Sequence, residues 1–207
     1  GGGGLMLLHV AADGRDIFID ARERAPLAAT RDMYLDEDGN VRPRSSIDGP
    51  LAAAIPGLPA GLAHVSENYG QVPLSVALAP AIRLARNGWV MNAKTANMLP
   101  WRSEVMLRSK GAKDLFFRGG KPVAAGQTLK NPDYAATLER LAREGHDGFY
   151  AGPLARRLAE GVKKAGGIWS LEDFAQYTVV EREPLRIEHR GFKLVTAPPP
   201  SSGGVAL

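Results

Sequence analysis

The chain has 207 residues, of which 44% are hydrophobic and 23% charged, a balance that supports a buried core and excludes a disordered tail. Its 26 Lys and Arg against 22 Asp and Glu leave a formal net charge of +4, too mild to announce a nucleic-acid partner. No apolar run approaches the ~20 residues of a membrane helix, these residues contain no secretory signal pattern, and zero cysteines exclude disulfides and cysteine–zinc sites.

Both ends read as cut. Gly1 opens a four-glycine run without an initiator Met, and Val205-Ala206-Leu207 begin an apolar segment that reaches no stop signal. The expectation is a fragment of a longer protein. Leu5–Ala12 and Arg15–Asp20 are apolar runs joined by Asp13-Gly14, the composition of a tight hairpin whose two central residues take positive φ. Asp36-Glu37-Asp38-Gly39-Asn40 is a second turn, and residues 40–50, with Pro43 and Pro50, read as an exposed loop.

Helices follow. Leu62, Val65, Ser66 and Tyr69 share one face, with Gly70 as the stop. Leu74, Ala77, Leu78, Ala81, Ile82 and Ala85 repeat the period up to Gly88, with Pro80 expected to break or kink the helix. A weaker helix over 92–108 is expected to be interrupted at Pro100, and Lys113–Arg118 reads as a short strand before the turn Gly119-Gly120-Lys121-Pro122. Asn131-Pro132 gives an N-cap and a first-turn proline to a helix whose stripe is Tyr134, Leu138, Leu141 and Ala142, with Glu139 and Arg143 set to pair at i,i+4. Leu154, Leu158, Val162 and Ala165 form the next stripe, ending at Gly166-Gly167. Ser170 and Asp173 have the spacing of a capping box. Tyr177–Val180, Leu185–Glu188 and Phe192–Thr196 read as strands, and the Pro198–Gly204 stretch as a polyproline turn into a flexible glycine pair.

Chemistry is sparse. His9, His64, His146 and His189 lack the i,i+4 spacing of a helical metal site, so no metal is expected. Gly1–Gly4 precede a strand rather than a helix and lack a following Lys-Ser/Thr, which favours close backbone packing over a phosphate cradle. Arg156, Arg157, Lys163 and Lys164 lie opposite an apolar stripe with Glu160 among them, the pattern of a solvated face. Gly-x-Ser-x-Gly is absent, Ser45-Ser46 and Ser201-Ser202 have no histidine nearby in sequence, and every threonine is internal. One segment stands apart, Asp20-Ala21-Arg22-Glu23-Arg24-Ala25-Pro26, where a strand hands over to a loop. An arginine there can offer a planar fork to a carboxylate, or can simply pair with Glu23 or a nearby aspartate.

Several stretches, in order along the chain, resemble the γ-glutamyltranspeptidase (γ-glutamyltransferase, glutathione hydrolase) family. They are Gly1–Met6, Arg22–Pro26, Ile55–Leu62, Leu78–Ala85, Asp147–Tyr150, Ser170–Phe174 and Pro198–Gly204. The resemblance implies that residues 1–207 are one partial domain, a helix-rich portion of the large subunit of an α/β N-terminal-nucleophile hydrolase, an αββα sandwich. It implies a precursor (a zymogen) that cuts itself into a heterodimer, the small subunit beginning with the catalytic threonine. That threonine forms a γ-glutamyl ester from a donor such as glutathione and passes the acyl group to water or to an amino acid or peptide. No catalytic residue is then expected in this chain, nor any cofactor, metal, membrane span or nucleic acid. The partners implied are the small subunit and the small-molecule donor and acceptor.

By resemblance, Arg22 matches the arginine that binds the donor α-carboxylate, while Arg24 departs from the small or apolar residue more usual in the family. The resemblance further implies a periplasmic or secreted enzyme, and a chain inactive by itself. Two alternatives stand beside this reading, a glutaryl-cephalosporin acylase of the same fold and a non-catalytic binding or structural domain using its basic helix face.

Overall fold

A computed structural model of the chain describes residues 2–207. In chain order the elements begin with β1 (Gly4–Val10), β2 (Arg15–Ala21), a 3-10 turn at Pro50–Ala52, α1 (Leu58–Asn68) and α2 (Leu74–Asn87). There follow β3 (Trp89–Val90), α3 (Ala93–Met106), α4 (Lys110–Phe116), β4 (Phe117–Arg118), β5 (Lys121–Pro122) and β6 (Thr128–Leu129). The last part holds α5 (Pro132–Glu144), α6 (Asp147–Tyr150), α7 (Gly152–Lys164), α8 (Leu171–Ala175), β7 (Val180–Arg182), β8 (Leu185–His189), β9 (Phe192–Thr196) and α9 (Gly203–Ala206). The mixed α/β content agrees with the sequence reading. The chain divides into two compact units, residues 1–71 with 149–207, and residues 72–148.

The first unit is built on an antiparallel sheet of order β1-β2-β7. The expected hairpin forms in full register, from Gly4 opposite Ala21 to Val10 opposite Arg15. Its connection is a four-residue loop closed by the Gly14 amide on the Val10 carbonyl at 2.8 Å, and only Gly14 takes positive φ, at 72°. Asp13 instead spends its carboxylate on the backbone and guanidinium of Arg15, so the second left-handed residue expected there is not needed. Edge strand β1 alternates, with Leu5, Leu7 and His9 exposed, whereas β2 is buried continuously from Ile17 to Ala21 because both of its faces are covered.

Beside the sheet lies a core of Ile55, Ala60, Tyr150, Ala155, Ala159, Trp169, Phe174 and Tyr177. Burial of its aromatic rings contributes roughly 1.5–3 kcal/mol each, supplemented by ring contacts such as Tyr150 on Tyr177 at 5.2 Å. Helix α1 starts four residues earlier than its pattern suggests and buries the small residues Ala60, Gly61 and Ala63, with Leu62 and Val65 only half-buried. Close approach decided the face: a Cβ on Gly61 would stand 2.6 Å from that of Ala21. Helix α7 buries Ala155 and Ala159 between half-buried Leu154, Leu158 and Val162, while Ala165 is exposed. It ends in a Schellman motif, with the Gly167 amide on the Val162 carbonyl at 2.8 Å and Gly166 on Lys163 at 3.0 Å. The Ser170–Asp173 capping box is present and opens α8.

The strand expected from Tyr177 is displaced to Val180–Arg182, because the Tyr177 ring belongs to the core. Strands β8 and β9 form where the sequence reading placed strands, and they pair antiparallel with each other. The glycine pair after the prolines is not a flexible link. Gly203 and Gly204 open the single turn α9, where a Cβ on Gly204 would lie 2.3 Å from the Ala197 carbonyl.

In the second unit α2 packs along α5, burying Leu78 and Ala85 on one helix and Ala135, Leu138 and Leu141 on the other. Four expectations change here. Helices α2 and α3 run without a break through Pro80 and Pro100, both exposed, so each missing amide is a local loss that does not end its helix. Tyr134 is 54% exposed, and Ala135 takes its place in the stripe. Glu139 pairs with Arg86 of α2, and Arg143 with Glu144, so the expected Glu139–Arg143 pair gives way to a tertiary one. The expected strand Lys113–Arg118 is mostly helix α4, started by the Ser109 cap and supported by Lys110 with Asp114 at 2.5 Å; only Phe117 and Arg118 are extended. The Asn131 cap on α5 forms as expected, accepting from the Tyr134 amide at 3.0 Å.

Candidate functional site

Strand β2 carries an aspartate, Asp20, at the end of the apolar run Ile17-Phe18-Ile19. A carboxylate left in such a place needs partners, and it has two kinds. Asp20 is 8% exposed, and its Oδ2 accepts from the Arg182 guanidinium on β7 through Nε and Nη2, both at 2.9 Å. Its Oδ1 accepts from the backbone amide of Arg22 at 3.1 Å.

The next residues leave the sheet. The Arg22 carbonyl accepts from the Tyr177 hydroxyl at 2.7 Å, while Arg24 exchanges backbone hydrogen bonds with Ile55 at 3.2 and 2.8 Å. This tight crossing depends on Gly57. A Cβ there would lie 2.0 Å from the Tyr177 hydroxyl oxygen and 2.3 Å from the Ala21 carbonyl oxygen, so only glycine fits. The amide of Leu27 donates to Asp173 of the α8 capping box at 2.6 Å, fixing the far end of the loop.

The two arginines of this loop are held differently. Arg24 donates to the Thr178 carbonyl at 2.9 Å and lies over the Tyr177 ring at 5.1 Å, so its fork is already engaged. The Arg22 side chain is exposed, forms no ion pair among the described residues, and its guanidinium donates only one long hydrogen bond there, to the Pro200 carbonyl at 3.4 Å. Its guanidinium keeps donors to offer an anion. The alternative foreseen for Arg22, pairing with Glu23 or an aspartate side chain, is therefore not seen.

Elsewhere several charges pair with one another. An open groove of about 360 Å³ at the start of β2 is lined by Arg15, Arg182 and Arg186 together with Asp16, Glu181 and Glu183. Arg186 pairs with Asp16 at 2.5 Å and Arg15 with Asp13 at 2.6 Å. His9, His64 and His146 each meet a carboxylate, at 2.7, 2.7 and 3.2 Å from Asp16, Glu181 and Asp147 respectively. No group of three metal-ligating side chains occurs among the described residues. Arg156, Arg157, Lys163 and Lys164 are exposed on α7. Among the described residues no helix is long and apolar enough to cross a membrane. Gly1 of the glycine run lies outside the described residues, while Gly3 packs so closely on Glu23 that a Cβ would meet its amide nitrogen at 2.8 Å. The sequence reading named Arg22 but not Arg182 or Tyr177, and gave Asp20 no role of its own; these are the groups that hold the Arg22 backbone. Only Asp20 left a signal, a charge inside an apolar strand run.

The fold class is that of the N-terminal-nucleophile hydrolases, of which the chain carries a helix-rich α/β portion. The profile described as Gamma-glutamyltranspeptidase matches residues 1–207, and the chain belongs to that family. It is 40% identical over 208 residues to the glutathione hydrolase proenzyme of Escherichia coli (strain K12), covering all of this chain and 36% of that protein. It is 38% identical to the acylase ACY 1 proenzyme of Pseudomonas sp. (strain SE83), covering all of this chain and 38% of that protein. The structure of Helicobacter pylori gamma-glutamyltranspeptidase superposes with a TM-score of 0.94 at 40% identity, covering 99% of this chain and 58% of that one. The chain thus spans little more than a third of the length of the curated relatives it matches.

Proposed function

We propose that residues 1–207 belong to the large subunit of an enzyme that cleaves γ-glutamyl amides such as glutathione, and that Arg22 clamps the donor carboxylate. The observation that carries this reading is the contrast within one loop. The Arg22 fork is exposed and nearly unused, whereas that of Arg24 is spent on the Thr178 carbonyl and the Tyr177 ring. Two parallel N–H donors to a carboxylate fix both its position and its orientation, and with them the amide to be cut.

The reaction is acyl transfer. The hydroxyl oxygen of an N-terminal threonine on the small subunit bonds to the γ-carbonyl carbon, its proton passing to the threonine's own amine. The amide C–N bond breaks as that proton moves to the departing amine, leaving a γ-glutamyl ester. Water, or the amine of an amino acid or peptide, then attacks the ester carbon, and the threonine oxygen recovers a proton. Arg22 contributes binding and orientation, and the bond-breaking groups lie outside this chain. The proenzyme names of the relatives support a cleaved precursor with the small subunit as partner. The family supports a periplasmic or secreted setting.

A second reading is favoured by the acylase relative. A glutaryl group is a γ-glutamyl group without its α-amino group, so it presents the same carboxylate and Arg22 serves either donor. Rates on matched γ-glutamyl and glutaryl anilides separate the two.

The deciding experiment uses the intact, processed enzyme. Arg22→Gln is expected to raise KM for a γ-glutamyl anilide strongly, with Arg24→Gln well behind. Kinetics for Arg22→Gln equal to the parent, with activity lost in Arg24→Gln, would move the role to Arg24.

A further inference from the structure

The exposed Arg22 side chain stands on a backbone that is held from both sides by buried groups. Its amide donates to Asp20, whose other carboxylate oxygen is gripped by Arg182, and its carbonyl accepts from Tyr177. Neither holder is itself loose. Asp20 sits in the register of β2 and β7, opposite Val180, and Tyr177 is 2% exposed and stacked on Tyr150 with ring planes 16° apart.

We infer that Tyr177 and the Asp20–Arg182 pair are positioning residues for Arg22: by fixing the backbone on both sides of its Cα they set where the guanidinium meets the donor carboxylate. The inference rests on the reading of Arg22 as the donor clamp. Its physical basis is leverage. A guanidinium at the end of a long side chain moves by roughly 1 Å when its backbone swings by about 10°, and a misplacement of about 1 Å can cost up to ~10²-fold in rate. Pinning the amide alone leaves the Arg22 backbone free to turn about its Cα, and pinning the carbonyl of the next peptide group as well removes that freedom. Burial pushes the Tyr177 phenol up to about 12, so the hydroxyl keeps the proton it donates throughout the neutral range. Gly57 is the structural complement, because any larger residue would push the hydroxyl off the Arg22 carbonyl.

The test compares two donors on the processed enzyme, a γ-glutamyl anilide and its analogue with the α-carboxylate replaced by a carboxamide. Their ratio of kcat/KM reports how well the enzyme uses the carboxylate, whatever the general health of the protein. Tyr177→Phe keeps the stacked ring and removes only the hydroxyl. It is expected to raise KM for the acid donor about tenfold, the scale of one buried hydrogen bond, with kcat within about twofold and the carboxamide donor unaffected. A lowered melting temperature with an unchanged donor ratio, or equal losses on both donors, would overturn the inference. Asp20→Asn, which keeps an acceptor for the Arg22 amide while weakening the grip of Arg182, is expected to lower the ratio by less, and it decides the matter where Tyr177→Phe does not fold. An unchanged ratio in Asp20→Asn then counts against the inference. Arg22→Gln separates the two levels. If it leaves the ratio intact, the donor-clamp reading itself fails. If it collapses the ratio while Tyr177→Phe does not, only the positioning role fails.

Discussion

At the scale of single residues, what matters is which polar groups are already used. Arg22 and Arg24 are two positions apart and chemically identical, yet one is engaged with a carbonyl and a ring and the other is nearly free. Removing the Arg22 charge leaves a bound carboxylate without its cation, so Arg22→Gln is expected to cost ~2–5 kcal/mol of donor binding, measured as a rise in KM. The strand end before Arg22 was legible from the sequence as the change from Ile17-Phe18-Ile19 to a charged loop. The partners of that loop were not, since Tyr177 and Arg182 lie more than 150 residues further along the chain.

At the scale of elements, the local signals were reliable where a side chain acts on its own backbone. The Asn131 cap and the Ser170–Asp173 box both formed as read. The box also does more than close a helix, because Asp173, 5% exposed, accepts from Leu27 at the end of the Arg22 loop. Ser170→Ala is therefore expected to lose about 1 kcal/mol, the usual worth of an N-cap. Asp173→Ala strands the Ser170 and Leu27 amides together and is expected to lose about 2–4 kcal/mol, read by urea unfolding.

A second element-level tie joins α1 to β7. Glu181 accepts from the Tyr69 hydroxyl at 2.6 Å and meets His64 at 2.7 Å, and these contacts hold its carboxyl below the ordinary value of 4.5. A carboxyl whose pKa is lowered by folding stabilises the protein above its unfolded value and loses that contribution as pH falls through the folded one. Glu181→Gln is accordingly expected to destabilise the protein at pH 7 and to narrow its gap from the parent below about pH 4. A gap that stays constant from pH 7 to pH 3 in thermal unfolding would show that Glu181 does not act through its charge.

At the scale of the whole molecule, the proposed reading gives this chain the orienting of a donor and leaves the attack to the small subunit. The isolated chain is expected to release no aniline from a γ-glutamyl anilide, and turnover by it at a rate near that of the processed enzyme would sink the division of labour proposed for Arg22. By itself the sequence determined the β1–β2 hairpin, the helix caps, the position of Arg22 and membership of the family, because each is written in neighbouring residues or in landmarks kept in order. Only the tertiary structure decided the rest. It put Tyr177 in the core rather than a strand, chose the small face of α1, and drew Glu139 to Arg86 rather than Arg143. It also engaged Arg24 and left the Arg22 fork nearly unused. The physical reason is common to all of these: close packing and buried hydrogen bonds depend on which distant atoms arrive, and no local pattern encodes that arrival.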